Sequence, residues 1–269
     1  MRWPVAAAVL VALSAATPRN AAVDPPRAPQ ESSTTAARKP VLVELFTSEG
    51  CSTCPPADAL LMHLETDQPI PGVQVIAIEE HVDYWNQQGW NDPFSSSEWT
   101  QRQVDYVSKF KLPSPYTPQM VVDGETQIVG GREGETQDAI RQAAQQQQVQ
   151  VTLTPGKPSP DGAERVEVRI DNLSALGNAS ALVWLAVTEK SLQSSVNAGE
   201  NAGKDLRHAS VLRVLRKVGT LDGKSPSFTA SPELKLKSNW NRDNLTIVAF
   251  AQDKRTWHIL GATAVKLQN

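Results

Sequence analysis

Val41-Leu-Val-Glu-Leu-Phe-Thr-Ser-Glu-Gly50-Cys51-Ser-Thr-Cys54-Pro-Pro-Ala-Asp58 is an apolar run that breaks at a glycine and delivers two cysteines to the start of a helix. Residues 41 to 46 are apolar except for Glu44, the pattern of a short strand buried on both faces. Ala57, Leu60, Leu61 and Leu64 then fall at i, i+3, i+4 and i+7, one face of a helix. Cys54 and Pro55 each precede a proline, which disfavours helical backbone at both, so the regular helix is expected to begin at Pro55 or Pro56. The two cysteines are the only ones in 269 residues.

A strand, a turn carrying Cys-x-x-Cys and a helix form a thioredoxin-like redox arrangement. Two intervening residues let the sulfurs meet with little backbone movement, and Cys51 is expected nearer the solvent and the positive end of the helix dipole. That field favours thiolate, so Cys51 would attack and Cys54 would resolve the mixed disulfide. Glu49 and Asp58 oppose the thiolate by like charge, and no Lys, Arg or His lies between the cysteines, which predicts a moderate redox pair rather than a strong oxidant. The rival reading is a structural disulfide, common in secreted chains. Closing so short a loop removes little entropy from the unfolded chain, which favours the redox reading.

Ahead of this stretch, one positive charge, the apolar residues from Val5 and the small residues Ser14-Ala15-Ala16 predict a secretory signal over residues 1–16, too short for a membrane span. Residues 17–39 are rich in Pro, Ala, Ser and Thr without apolar period and predict a disordered tether. Export and two cysteines imply an oxidising compartment, a bacterial periplasm or exterior. A net charge of −3 shows no basic stripe, which excludes a nucleic-acid or anionic-lipid partner, and no stable membrane insertion is expected once the signal is cleaved.

Residues 73–79 read as a second buried strand, forming a parallel crossover unit with the first, and loops leaving the carboxyl ends of such strands share one rim. His81, Asp83, Tyr84 and Trp85 are therefore expected near the cysteines, His81 as proton donor or acceptor and the aromatics as a substrate wall, or all of them as rim packing. Ser95 to Glu98 is a capping-box pattern opening a helix that runs to about Lys111. An apolar strand after Pro118, then Asp123-Gly124, predicts a hairpin. In a thioredoxin-like layout Thr117-Pro118 is the bond expected to be cis and to face the disulfide, leaving the backbone of Thr117 for an extended substrate. A last helix starts at Gly130 to Gly134 and runs through Ile140.

From Val149 onward about seven short apolar or alternating runs are separated by Pro, Gly, Asn and Asp clusters, which predicts a β-sandwich. His208 and His258 lack Cys or His neighbours at metal-ligand spacing. The polar segment from Asn197 to His208 is longer than a hairpin needs and reads as a solvated connection or as a loop docking on the first domain.

Phe46 to Asp58, His81-Val-Asp-Tyr-Trp85, Gly89-Trp-Asn-Asp-Pro-Phe94, Thr117-Pro-Gln-Met120 and Gly199 to His208 together resemble the secreted bacterial proteins grouped as domain of unknown function 1223, within the thioredoxin-like superfamily. The resemblance implies a thioredoxin-like domain with a β-rich extension. By similarity to thioredoxins, Cys51 matches the attacking cysteine, Cys54 the resolving one and Pro118 the cis proline. Glu44 resembles the buried acid that helps deprotonate the resolving thiol, although its spacing to Cys51 is one residue longer. Gly50 stands where an aromatic is usual, and Ser-Thr replaces Gly-Pro between the cysteines.

The sequence thus predicts an α/β thioredoxin-like domain, a central mixed sheet flanked by helices, over residues 40–148, and a β-sandwich-like all-β domain over 149–269. The expected function is exported thiol-disulfide exchange with a protein or small thiol/disulfide partner. Cys51, Cys54 and Glu44 would be catalytic, and Thr117, Pro118, His81, Tyr84 and Trp85 would bind substrate. No resident cofactor or metal is implied. The alternatives are a protein handling copper or another soft ion through the two thiolates, with His81 or Met62, and a redox-inert binding module with a structural disulfide.

Overall fold

Side-chain alternation along two central strands decides the arrangement. In a computed structural model that describes residues 38–267 apart from residues 147, 159–162, 178 and 223, together with residues 1, 3 and 4, strand β1 (Lys39–Thr47) pairs in parallel with β2 (Val73–His81). The expected signal, and all of the expected tether except residues 38 and 39, otherwise lie outside the described residues. Val41, Val43 and Leu45 point one way, into a core shared with Leu60, Leu61 and Leu64 of α1 (Pro55–Asp67). Leu42 and Phe46 point the other way, into separate apolar clusters that include Trp99 and Tyr106 of α2 (Ser97–Phe110). The continuous apolar pattern therefore covers both faces, as read.

α2 is capped by Ser96, whose Oγ accepts from Glu98 N at 3.1 Å; the capping residue is one position later than the sequence pattern places it. The hairpin β3 (Gln119–Val122) and β4 (Thr126–Val129) turns at Asp123-Gly124, where both residues adopt positive φ, and the Thr117-Pro118 bond before it is cis. Helix α3 (Glu133–Ala143) packs Ala139 and Ile140 beside α1 on the same core.

The remaining strands are β5 (Gln150–Pro158), β6 (Ala163–Asp171), β7 (Ala181–Ser195), β8 (Asp205–Leu221), β9 (Phe228–Ala230), β10 (Glu233–Lys235), β11 (Leu245–Asp253) and β12 (Ile259–Lys266). Four of them extend the first sheet, giving eight strands in the order β12-β11-β7-β8-β2-β1-β3-β4. The join is parallel and runs through one register pair, Glu79 with Val211. β5, β6 and β10 form a second sheet, with β9 also on β6. Val166, Val168 and Ile170 of that sheet pack against Val183, Leu185, Val187, Ile247 and Ala249 of the first, in one apolar layer. The architecture is thus mixed α/β, with one large mixed sheet, few helices and a second sheet. Strands from either side of residue 149 share the large sheet, whereas the sequence suggested separate sheets. The apolar runs of β7 and β11 explain this, because Trp184, Ala186, Val248 and Phe250 also cover a second face beside Leu42 and Ile76.

Candidate active site at the Cys51–Cys54 disulfide

Cys51 and Cys54 form a disulfide at the junction of β1 and α1. Cys51 N donates to Ser48 O at 3.1 Å and Cys54 N to Cys51 O at 3.2 Å, after which Ala57 N and Asp58 N both reach Cys54 O and open the helix at Pro55. A Cβ on Gly50 would stand 3.1 Å from Trp85 Cβ, so the residue before the first cysteine is held small by the rim tryptophan.

Both cysteines are fully buried, so Cys51 is not the solvent-facing thiol that the sequence suggested. The cause is the connection between β7 and β8, which docks on the cysteine loop. Asn201, itself fully buried, donates from Nδ2 to the carbonyls of Glu49 (2.8 Å) and Cys51 (2.9 Å). Glu200 Oε2 accepts from Ser52 N at 3.1 Å, and Lys204 Nζ donates to Asn201 Oδ1 at 2.9 Å. Ser52 and Thr53 stay exposed, and Thr53 Oγ1 lies 3.3 Å from Cys51 Sγ.

Beneath the loop lies a buried set of acids and imidazoles that local sequence spacing could not reveal. His208, on β8, sits between two carboxylates, with Nδ1 2.8 Å from Glu79 Oε1 and Nε2 3.0 Å from Glu49 Oε1. His81 Nδ1 lies 2.7 Å from Asp92 Oδ2, and its Nε2 has no hydrogen-bond partner although Glu79 Oε1 is 3.3 Å away. Ala209 N donates to Glu79 Oε2, Glu49 N to Asp92 Oδ2 and Trp90 Nε1 to Glu49 Oε2. The Phe94 ring packs edge-on against both imidazoles. Asp58, one turn after Cys54, accepts from Thr47 Oγ1 at 2.6 Å, on the same face of the sheet.

Burial pushes the Asp58 carboxyl up to about 7, and the nearby Glu79 carboxylate adds to the rise. Burial acts in the same direction on Glu79, but the His208 and His81 imidazoles outweigh it and hold that carboxyl down at about 2. Against the opposing effect of burial, Glu79 and Glu49 raise His208 to about 9, and Asp92 and Glu79 raise His81 well above the usual imidazole range.

Glu44 lies elsewhere. It is on the α2 face of β1, where Arg102 Nη2 is 2.5 Å from its Oε1 and Tyr106 O–H donates to its Oε2. Burial, then repulsion by Glu44, keeps the neighbouring Glu80 carboxyl protonated well above its usual range. β-strand alternation removes Glu44 from the face that carries α1, so the proton-relay role expected of it has no geometric basis. His81 is likewise fully buried and binds Asp92 rather than lining an open wall. Tyr84 and Trp85 are half-buried on the rim: Tyr84 O–H donates to Gln103 Oε1 at 3.1 Å, and Trp85 Nε1 donates to Thr117 Oγ1 at 2.7 Å. Pro118 is buried beside Gly130, where an added Cβ would meet both Pro118 and Ala57 of α1. Met62 lines cavities of ≈ 340 and ≈ 520 Å³ between α1 and β8.

The family model described as Protein of unknown function (DUF1223) matches residues 42–252. No curated protein matches the chain. Among solved structures, protein AGR_C_4864 from Agrobacterium tumefaciens is 27% identical with a TM-score of 0.62, the alignment covering 87% of this chain and 96% of that one. HBP35 of Porphyromonas gingivalis has the same TM-score of 0.62 at 19% identity, over 86% of this chain and 76% of that one, a likeness of fold alone.

Proposed function

The chain belongs to the DUF1223 family of proteins of unknown function, and on that footing we propose that it is an exported thiol-disulfide exchange protein built on a thioredoxin-like unit with a β-sandwich-like extension. The observation that carries this reading is the disulfide between a buried strand and a helix N-terminus, with a buried carboxyl of raised pKa, Asp58, one turn along the same helix. In the reduced protein the Cys51 thiolate attacks one sulfur of a partner disulfide and the other sulfur leaves as a thiolate. Cys54 passes its proton to the Asp58 carboxylate and attacks Cys51 Sγ, which releases the partner's second thiol and restores the bridge. The partner gains two electrons and the cysteine pair loses two; with a dithiol partner the steps run backwards. Thr117, Pro118, Tyr84 and Trp85 form the wall against which the partner would lie. Glu44 pairs with Arg102 and Tyr106 on the face of β1 away from α1, so in this reading the proton role passes to Asp58, which is on α1 itself.

Supporting an exported setting are the amino-terminal pattern and the oxidised cysteine pair. Among the described residues no helix is long and apolar enough to cross a membrane. Because both cysteines are buried and the 197–204 connection is bonded to Cys51 O and Ser52 N, exchange in this reading is gated, and that connection must lift before a partner can reach the bridge. The same burial favours a second reading, an inert structural bridge in a binding module.

The test is trapping. Incubated with an excess of a disulfide-bonded peptide, reduced Cys54→Ala accumulates a mixed disulfide at Cys51, seen by mass spectrometry, whereas Cys51→Ala gives none. Equal adduct formation by the two variants, or none by either, would refute the exchange reading.

A further inference from the structure

The geometry points to a second site, independent of the cysteines: a binding site for a divalent first-row transition ion, zinc being the best match, formed by Glu79, His81 and His208. The three side chains present one ligand atom each, all within 4.8 Å of one another. Glu79 Oε1 is 2.8 Å from His208 Nδ1 and 3.3 Å from His81 Nε2, so two imidazole nitrogens converge on one carboxylate oxygen. His81 Nε2 is aimed into this space, fully buried and without a hydrogen-bond partner. Two imidazoles and a carboxylate are the donor set that zinc and its neighbours favour, with bonds of about 2.0–2.2 Å, and the ion would take the place of the Glu79–His208 hydrogen bond.

The surroundings match as well as the ligands do. Metal-bound histidines donate their outer N–H to a carboxylate, which fixes the ring and strengthens the inner nitrogen. Both histidines have that partner, Asp92 Oδ2 at 2.7 Å from His81 Nδ1 and Glu49 Oε1 at 3.0 Å from His208 Nε2. Glu79 is held by Ala209 N on its other oxygen. Glu49, Asp58, Glu79 and Asp92 are each at most 3% exposed, and among the described residues none forms an ion pair with a lysine or arginine. Glu49, Glu79 and Asp92 outnumber the two imidazoles, an excess of negative charge that a cation offsets. His208 lines one of the two cavities along α1 and Asp58 lines the other. The ligands come from β2 and β8, where the backbone ladder between the halves of the large sheet is one register pair. A bound ion would staple that join and, through Glu49, the base of the cysteine loop.

The experiment titrates Zn²⁺ and Co²⁺ into the protein with its disulfide intact, against a chromophoric chelator. One equivalent bound per chain and visible d–d absorption from Co²⁺ are expected, with Mg²⁺ and Ca²⁺ failing to compete. Asp92→Asn, which keeps all three ligands, should weaken binding about 10- to 100-fold, and Glu79→Gln or His81→Gln by more. The Cys51→Ser/Cys54→Ser double variant should bind unchanged, so this outcome and the trapping result are separable. If the ligand variants do not fold, NMR of the wild type decides: zinc should shift the His81 and His208 ring resonances and leave His63, which pairs with Asp67 on the surface, in place. No uptake, uptake that needs the cysteines, or shifts confined to His63 would overturn the proposal.

Discussion

Replacing Asn201 with alanine should open the cover over the disulfide. The wild-type amide donates two hydrogen bonds, to Glu49 O at 2.8 Å and Cys51 O at 2.9 Å, both in a fully buried setting. Each such bond is worth about 0.5–1.5 kcal/mol net, and leaving buried carbonyls unpaired raises the cost toward about 1–3 kcal/mol. Because closure rests on both, the closed state should lose about 2–3 kcal/mol relative to the open one. At about 1.4 kcal/mol per factor of ten, the open population should rise roughly 30- to 140-fold. The assay is reduction of the Cys51–Cys54 bond by excess dithiothreitol at pH 7, followed by thiol release, with urea unfolding run alongside so that faster reduction through global unfolding is recognised. A rate within twofold of wild type in a folded variant would refute the gate. Acceleration that vanishes when rates are compared at equal global stability would refute it equally.

Glu200→Gln should act in the same direction but more weakly than Asn201→Ala, since its bond to Ser52 N is exposed, and stopped-flow reduction kinetics would rank the two. Arg102→Met removes the cation shared by Glu44 and Glu80 and leaves buried carboxyls without it; a loss of about 3–5 kcal/mol in urea unfolding is expected, and a neutral result would contradict the assigned pairing. Asp58 keeps its proton in the folded chain up to about 7, while the unfolded carboxyl releases it near 3.8. Between those values the folded state holds the extra proton, so this group's contribution to stability falls as pH rises through that window. Asp58→Asn should therefore gain on wild type from about pH 4 to about pH 7 and no further above it; a gap independent of pH would show that Asp58 titrates normally.

The parts of the molecule legible in the sequence were those written in local periodicity. The apolar run at Val41, the Ala57/Leu60/Leu61/Leu64 face and the Asp123-Gly124 turn each carry their own signal, and each became the expected element. What pattern could not show was how distant segments meet. The large sheet continues through β8 because β7, β8 and β11 are apolar on two faces, and a run of seven short strands does not reveal which sheet each joins. The same holds for the site. The cysteines were evident from spacing and setting, but His208 lies 129 residues from Glu79 and 159 from Glu49, so neither partner is visible from its neighbourhood. Glu44 and Asp58 were both acids close to the cysteines in sequence. Strand alternation, applied to β1 together with the helix that covers it, separates them: even positions face α2, and only Asp58 shares the face of α1. The Asn197 to His208 segment was read as a connection or a docking loop, and Asn201 makes it the latter.

The central claim, that Cys51–Cys54 is an exchange site rather than a staple, is tested most directly by the reduction potential of the couple in a glutathione buffer. The account predicts a value within the span of known oxidoreductases, roughly −120 to −270 mV. A potential below about −300 mV, the range of structural disulfides, would contradict it and leave the bridge as a fixed strut beneath Asn201.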